Sequence, residues 1–97
     1  MNIIFQGTLG GECLSQRIVC TSATLTITDI SINNILPYTF SLKRFTLGKG
    51  SVLIYTFTLD AEDNLRDNEN YILNTGDYLE LISNTTDTSF YVSAFQS

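Results

Sequence analysis

Histidine and tryptophan are absent from this chain of 97 residues, and proline occurs once. Without histidine, neither a Ser-His-Asp nor a Cys-His catalytic arrangement can be built, nor a mixed Cys/His zinc site. Charge is scarce as well: 15% of residues, five basic against ten acidic, for a net charge of −5. A chain this anionic is repelled by phosphate, which argues against sequence-independent binding of nucleic acid. No apolar run approaches the ~20 residues of a membrane helix, and "MNIIFQGTLGG" lacks the basic start and apolar length of a secretory signal. No membrane role is expected, and synthesis in a cytoplasm is. The two cysteines, Cys13 and Cys20, are then expected as reduced thiols. They do not form a CxxC pair, and a disulfide between them requires residues 14–19 to turn back on themselves.

What is plentiful is small and polar: 13 Thr, 9 Ser and 8 Asn, beside a hydrophobic content of 43%. Thr, Tyr, Phe, Ile and Val suit a pleated surface, whereas the helix formers Ala, Glu and Lys are few. Apolar residues alternate in short runs broken by turn chemistry, with no sustained helical period. The expectation is an all-β chain: a single antiparallel β-sandwich over residues 1–97, jelly-roll-like or Greek-key, with about eight strands.

The runs are predicted at residues 2–8, 13–21, from 23 through "ATLTITDISI", and at "YTFSLKRF", "SVLIYTFTL", "YILN", "YLELIS" and "FYVSAF". In the third, Leu25 and Ile27 share one parity while Ile30 and Ile32 take the other. A period of two cannot change phase without an extra residue, so a bulge is predicted near Thr28-Asp29. Tyr38, Phe40 and Leu42 are predicted inward, and Leu53, Tyr55, Phe57 and Leu59 are predicted to share one face, with Val52, Ile54, Thr56 and Thr58 on a partly apolar other face.

The stretch "YILNTGDYLELIS" raises the question whether Asp77 does chemistry. Asn74, Gly76 and Asp77 are turn-formers: Asn and Asp bond their own backbone, and Gly supplies positive φ without steric cost. Glu80 lies three residues further on, and no histidine exists to complete a site. Neither cysteine has a clear cause for a lowered pKa, although Arg17 lies between them. No phosphate-cradling glycine loop or metalloprotease helix is present. A glycosidase needs two acids in a cleft lined with aromatics, for which this chain is small. The acidic segment 60–70 offers oxygens at Asp60, Glu62, Asn64, Asp67 and Glu69, but Leu65 stands where a calcium loop of the EF-hand type requires glycine. It is read as a solvated loop, with calcium left open, and the Asn84-Thr85-Thr86 sequon as a hairpin loop. No catalytic residue, metal or cofactor is expected.

The closing strand is apolar on both faces. A two-layer sandwich covers only one, so Tyr91 and Phe95, together with Ile54, are candidates for contact with another subunit. The alternative for Phe95 is fraying with the chain end.

Taken together, "TLTITDISINN", "YTFSLKRF", and above all "YILNTGDYLELIS" followed by "SFYVSAF" resemble small β-sandwich structural proteins of tailed-bacteriophage virions. The likeness spans residues 23–95, and the acidic segment 60–70 departs from it. It implies a non-enzymatic virion part, made in the host cytoplasm: a capsid decoration (cement) protein, or a neck, tail or fibre component. It also implies contacts with other virion proteins and a homo-oligomer, possibly a trimer. A carbohydrate-binding or adhesion module is the alternative, with Tyr38, Tyr71, Tyr78 and Tyr91 as its candidate platforms.

Overall fold

The computed structural model describes residues 1–10 and 14–97, and every regular element in them is a strand. In chain order these are β1 (Asn2–Leu9), β2 (Ser15–Val19), β3 (Thr24–Asn33), β4 (Tyr38–Thr46), β5 (Gly50–Leu59), β6 (Leu65–Asp67), β7 (Tyr71–Asn74), β8 (Tyr78–Ser83) and β9 (Thr88–Gln96). The predicted strand at residues 13–21 shortens to β2, and Cys13 lies outside the described residues.

Two antiparallel sheets face each other, one ordered β1-β9-β3 with β6 and β7 both on the far side of β3, the other β2-β8-β4-β5. The pairings β1–β9, β2–β8, β3 with β6 and β7, and β4–β5 are the rungs of one long hairpin. Rolling that hairpin brings β9 beside β3 and β8 beside β4, which is jelly-roll connectivity. Nine strands appear instead of about eight because the partner of β3 is broken in two.

The break and the predicted bulge are one feature. Ile27 pairs with Ala94 and Asp29 with Ser93, so Thr28 is the extra residue in β3. Its hydroxyl donates to the Ser93 carbonyl at 3.1 Å. Across β3, Tyr71 pairs with Ile27 and Asp67 with Ile30, which leaves residues 68–70 to loop past the bulge. The extra residue restores phase, and Leu25, Ile27, Ile30 and Ile32 are all buried.

These isoleucines meet Tyr38, Phe40 and Leu42 of β4, Leu79 and Leu81 of β8, and Phe90, Val92 and Ala94 of β9 in one core. Burial of each large aliphatic or aromatic side chain contributes about 1.5–3 kcal/mol. One end of the sandwich is closed by buried polar groups. The Asn34 amide donates to the Thr88 hydroxyl (2.8 Å) and the Thr86 carbonyl (2.9 Å), and the Ser83 and Thr88 hydroxyls lie 2.7 Å apart. The sequon 84–86 sits in the loop that this network holds.

One expectation fails in β5. Leu42 pairs with Tyr55 but Lys43 with Leu53, so Ile54 is an extra residue and Leu53 takes the opposite face from Tyr55. β5 is also an edge strand, and most of it is exposed.

Candidate functional site

Only two carboxylates are buried among the described residues, Asp67 and Asp77, and both are occupied by the fold. Asp77 closes the turn between β7 and β8. Its Oδ1 accepts the Leu47 N–H at 2.9 Å and its Oδ2 the Asn74 N–H at 3.1 Å. Its own N–H donates to the Asn74 carbonyl at 2.9 Å, and Arg44 stands 4.0 Å away. The Leu47 bond first, then the Asn74 bond, hold its carboxyl below the usual aspartate range against the opposing effect of burial, with a lesser contribution from the Arg44 charge. Asp77 therefore ties the β7–β8 turn to the β4–β5 turn, and no substrate-facing oxygen is left over.

Gly76 precedes it at φ +94°, where a Cβ would lie 2.9 Å from Leu47 Cδ2. Gly76→Ala brings left-handed strain, while the close Leu47 methyl ends an exposed side chain that can turn aside. It is expected to cost about 1–3 kcal/mol, read as a lowered urea midpoint with unchanged slope.

Asp67 lies inside the segment read as a solvated loop, and this reading is corrected by the structure. β6 alternates Leu65 inward, Arg66 outward and Asp67 inward, because Asp67 pairs with the inward-facing Ile30. Its Oδ2 accepts the hydroxyls of Tyr55 (2.8 Å) and Tyr71 (2.6 Å), and its Oδ1 accepts the Glu69 N–H (2.9 Å). Burial, and then the bond to Asp67, push both phenols above their ordinary value. Burial also raises Tyr38, whose hydroxyl donates to the Asp63 carbonyl at 2.9 Å. The Asn64 carbonyl accepts from the Asn33 amide at 2.6 Å, and among the described residues no three acidic or thiol side chains converge on a point.

The outward faces are where polar residues give way to apolar ones. On the β1-β9-β3-β7 sheet, Phe95 pairs with Thr26, which pairs with Ile72, so these three lie in one outward row. Ile4, opposite Ser93, and Tyr91, opposite Gln6 and Ser31, extend the row diagonally. Phe95, Ile72 and Ile4 are 49–56% exposed, and Tyr91 39%. Phe95 sits on a strand that is paired to its end: the flanking Gln96 N–H donates to Met1 O (2.8 Å) and the Ser97 N–H to Thr24 O (3.0 Å). Tyr91 and Phe95 thus share a surface, with Ile4 and Ile72 as members that the sequence reading missed.

Ile54 is not part of it. It lies on β5, the edge of the other sheet, beside exposed Val52, Leu53 and Phe57. An open groove of about 560 Å³ runs from this edge toward β6 and β7, floored by Tyr55, Phe57, Leu65 and Tyr71.

Arg17 sits 4.6 Å over the Tyr78 ring, which stacks on Phe45 at 4.7 Å, and pairs with Glu80 at 3.5 Å. Cys20 is a buried free thiol directed at the Ser22 and Ala23 carbonyls. Its pairing with Cys13 lies outside the described residues. No protein-family model and no curated protein matches the chain.

Proposed function

We propose that this chain is a non-enzymatic structural protein of a tailed-bacteriophage virion, a capsid decoration protein or a neck, tail or fibre component. In this reading it docks on other virion proteins through the outward face of its β1-β9-β3-β7 sheet. The observation that carries it is the row of Ile4, Ile72, Tyr91 and Phe95, held open to solvent on well-paired strands. Apolar side chains on a sheet's outer face lower the free energy of a particle when a neighbour covers them. The surrounding Thr26, Ser31 and Ser93 offer hydrogen bonds at small desolvation cost.

Three further points support it. Jelly rolls are a common architecture of viral capsid domains, although the fold alone does not imply a role. Both buried carboxylates are consumed by structural hydrogen bonds, so neither is free for acid–base work. The motifs at 24–34, 38–45, 71–83 and 89–95 resemble those of phage virion sandwiches. The sugar-binding alternative has less support: Tyr38 and Tyr71 are buried and the Tyr78 ring is flanked by Arg17 and Phe45, which leaves Tyr91 as an open platform.

The test is a chain carrying Ile72→Asp and Phe95→Asp. Both side chains point outward, so the variant is expected to fold, while its incorporation into particles falls about tenfold or more. Incorporation equal to that of the parent chain would remove this face from the assembly.

A further inference from the structure

The edge strand β5 has properties that natural sheets ordinarily avoid at an edge. It is ten residues long, carries neither charge nor proline, and exposes Val52, Leu53, Ile54 and Phe57 by 36–65%. A long, apolar edge without charge or proline, interrupted by the bulge at Ile54 alone, is a template for another strand. The other edges differ: β2 is five residues long and carries Arg17, β6 and β7 are interrupted, and β1 exposes a single large apolar residue, Ile4.

The charges at the ends of β5 indicate what covers it. Lys49 precedes the strand and Lys43 flanks its first half, opposite Leu53. Asp60, Glu62 and Asp63 follow it. None of these five side chains belongs to an ion pair among the described residues. The edge is therefore basic at one end, apolar in the middle and acidic at the other.

We infer that β5 pairs antiparallel with β5 of a second copy of this chain, joining two four-stranded sheets into one continuous sheet across a twofold axis. Antiparallel self-pairing about the middle of the strand sets the basic end of each copy against the acidic end of the other. It also makes the interface self-complementary, as a twofold requires. The groove beside β5 fits this arrangement, since apolar side chains of the added strand lie over Tyr55 and Phe57. A parallel arrangement would oppose like charges at both ends. The inference deepens the assembly reading by naming the partner and the surface, and it rests on that reading only for its biological setting.

Light scattering and sedimentation of the isolated protein test it. The expected mass is twice the 10.8 kDa chain. Leu53→Lys and Ile54→Lys, both at exposed positions, are expected to give folded monomers with unchanged circular dichroism. Lys49→Glu is expected to weaken the dimer about tenfold, and Lys49→Glu with Asp60→Lys to restore it. A monomer, a trimer, or a dimer indifferent to these exchanges would overturn the pairing. A monomer found in particles removes this interface alone, whereas a dimer absent from particles removes the virion reading alone.

Discussion

Asp67→Ala is expected to lower the stability of this protein by about 2–4 kcal/mol, although Asp67 belongs to a segment that reads as a surface loop. Three donors lose their acceptor at once: the hydroxyls of Tyr55 and Tyr71 and the Glu69 N–H. Each buried donor left unpaired costs about 1–3 kcal/mol, reduced where water can reach it, as at the partly exposed Tyr55. Asp67→Asn is not a conservative exchange here. The carboxylate accepts all three bonds, whereas an amide can keep the Glu69 N–H on its oxygen only by turning its nitrogen to the two phenols, which must then reorient their hydroxyls and accept. Urea denaturation should therefore rank Asn between Asp and Ala.

The same cluster sets the alkaline limit. In the unfolded chain the phenols of Tyr38, Tyr55 and Tyr71 lose their protons near their ordinary value of 10.0, while the folded protein holds them longer. Above that pH the native state binds more protons than the unfolded one. The contribution of these tyrosines is complete below pH 10 and falls as pH rises, by about 1.4 kcal/mol per pH unit for a buried tyrosine still protonated and by less for the partly exposed Tyr55. Tyrosinate absorbance from these three should then appear together with loss of the β-sheet signal. Their ionisation in a protein that stays folded would contradict the assignment.

The second large effect is a contrast between two single-residue deletions in β3. Removing Thr28 leaves Leu25, Ile27, Ile30 and Ile32 in perfect alternation, because Thr28 is the residue without a cross-strand partner. The expected loss is about 1–2 kcal/mol, from the Thr28–Ser93 bonds and the altered path opposite residues 68–70. Removing Ser31 places Ile30 and Ile32 next to each other, and one of them must leave the core. That is comparable to deleting a buried isoleucine, about 2–5 kcal/mol, before any disturbance of the Asn34 network. Thermal melts of the two variants should separate clearly, with the Ser31 deletion far lower.

This contrast also marks what was legible in the sequence. The bulge could be read because four isoleucine and leucine positions change parity around a fixed point, and burial forces the chain to absorb the change. The inward set of β4 followed from period two in the same way. The strand β6 was not legible: three residues within a run of acids and asparagines carry too little apolar signal. Its cue was the alternation of Leu65, Arg66 and Asp67 just ahead of Tyr71, and an inward aspartate makes sense only with its tyrosines in place. Nor did the pattern distinguish β4 from β5. Both alternate, yet β4 is central and β5 is an edge, a property of sheet order that no local window contains. For the candidate surface, the outward parity of Tyr91 and Phe95 was readable from β9 alone. Their company with Ile72 and Ile4 depends on long-range pairing, which also separates Ile54 from them.

On the proposed reading the two apolar surfaces serve assembly on different axes: the β5 edge takes a second copy, and the broad outer face takes a different protein. Both fit the proposed role of a part packed beside others, and the hydroxyl-rich, net-anionic exterior fits free dimers that repel one another before assembly.

Quantitative mass spectrometry of purified phage particles tests that role most directly. The account expects this chain at a fixed ratio to the other virion proteins, in about tens to hundreds of copies per particle, as symmetric assembly of repeated subunits demands. Particles that are intact and infectious yet contain none of it would contradict the account.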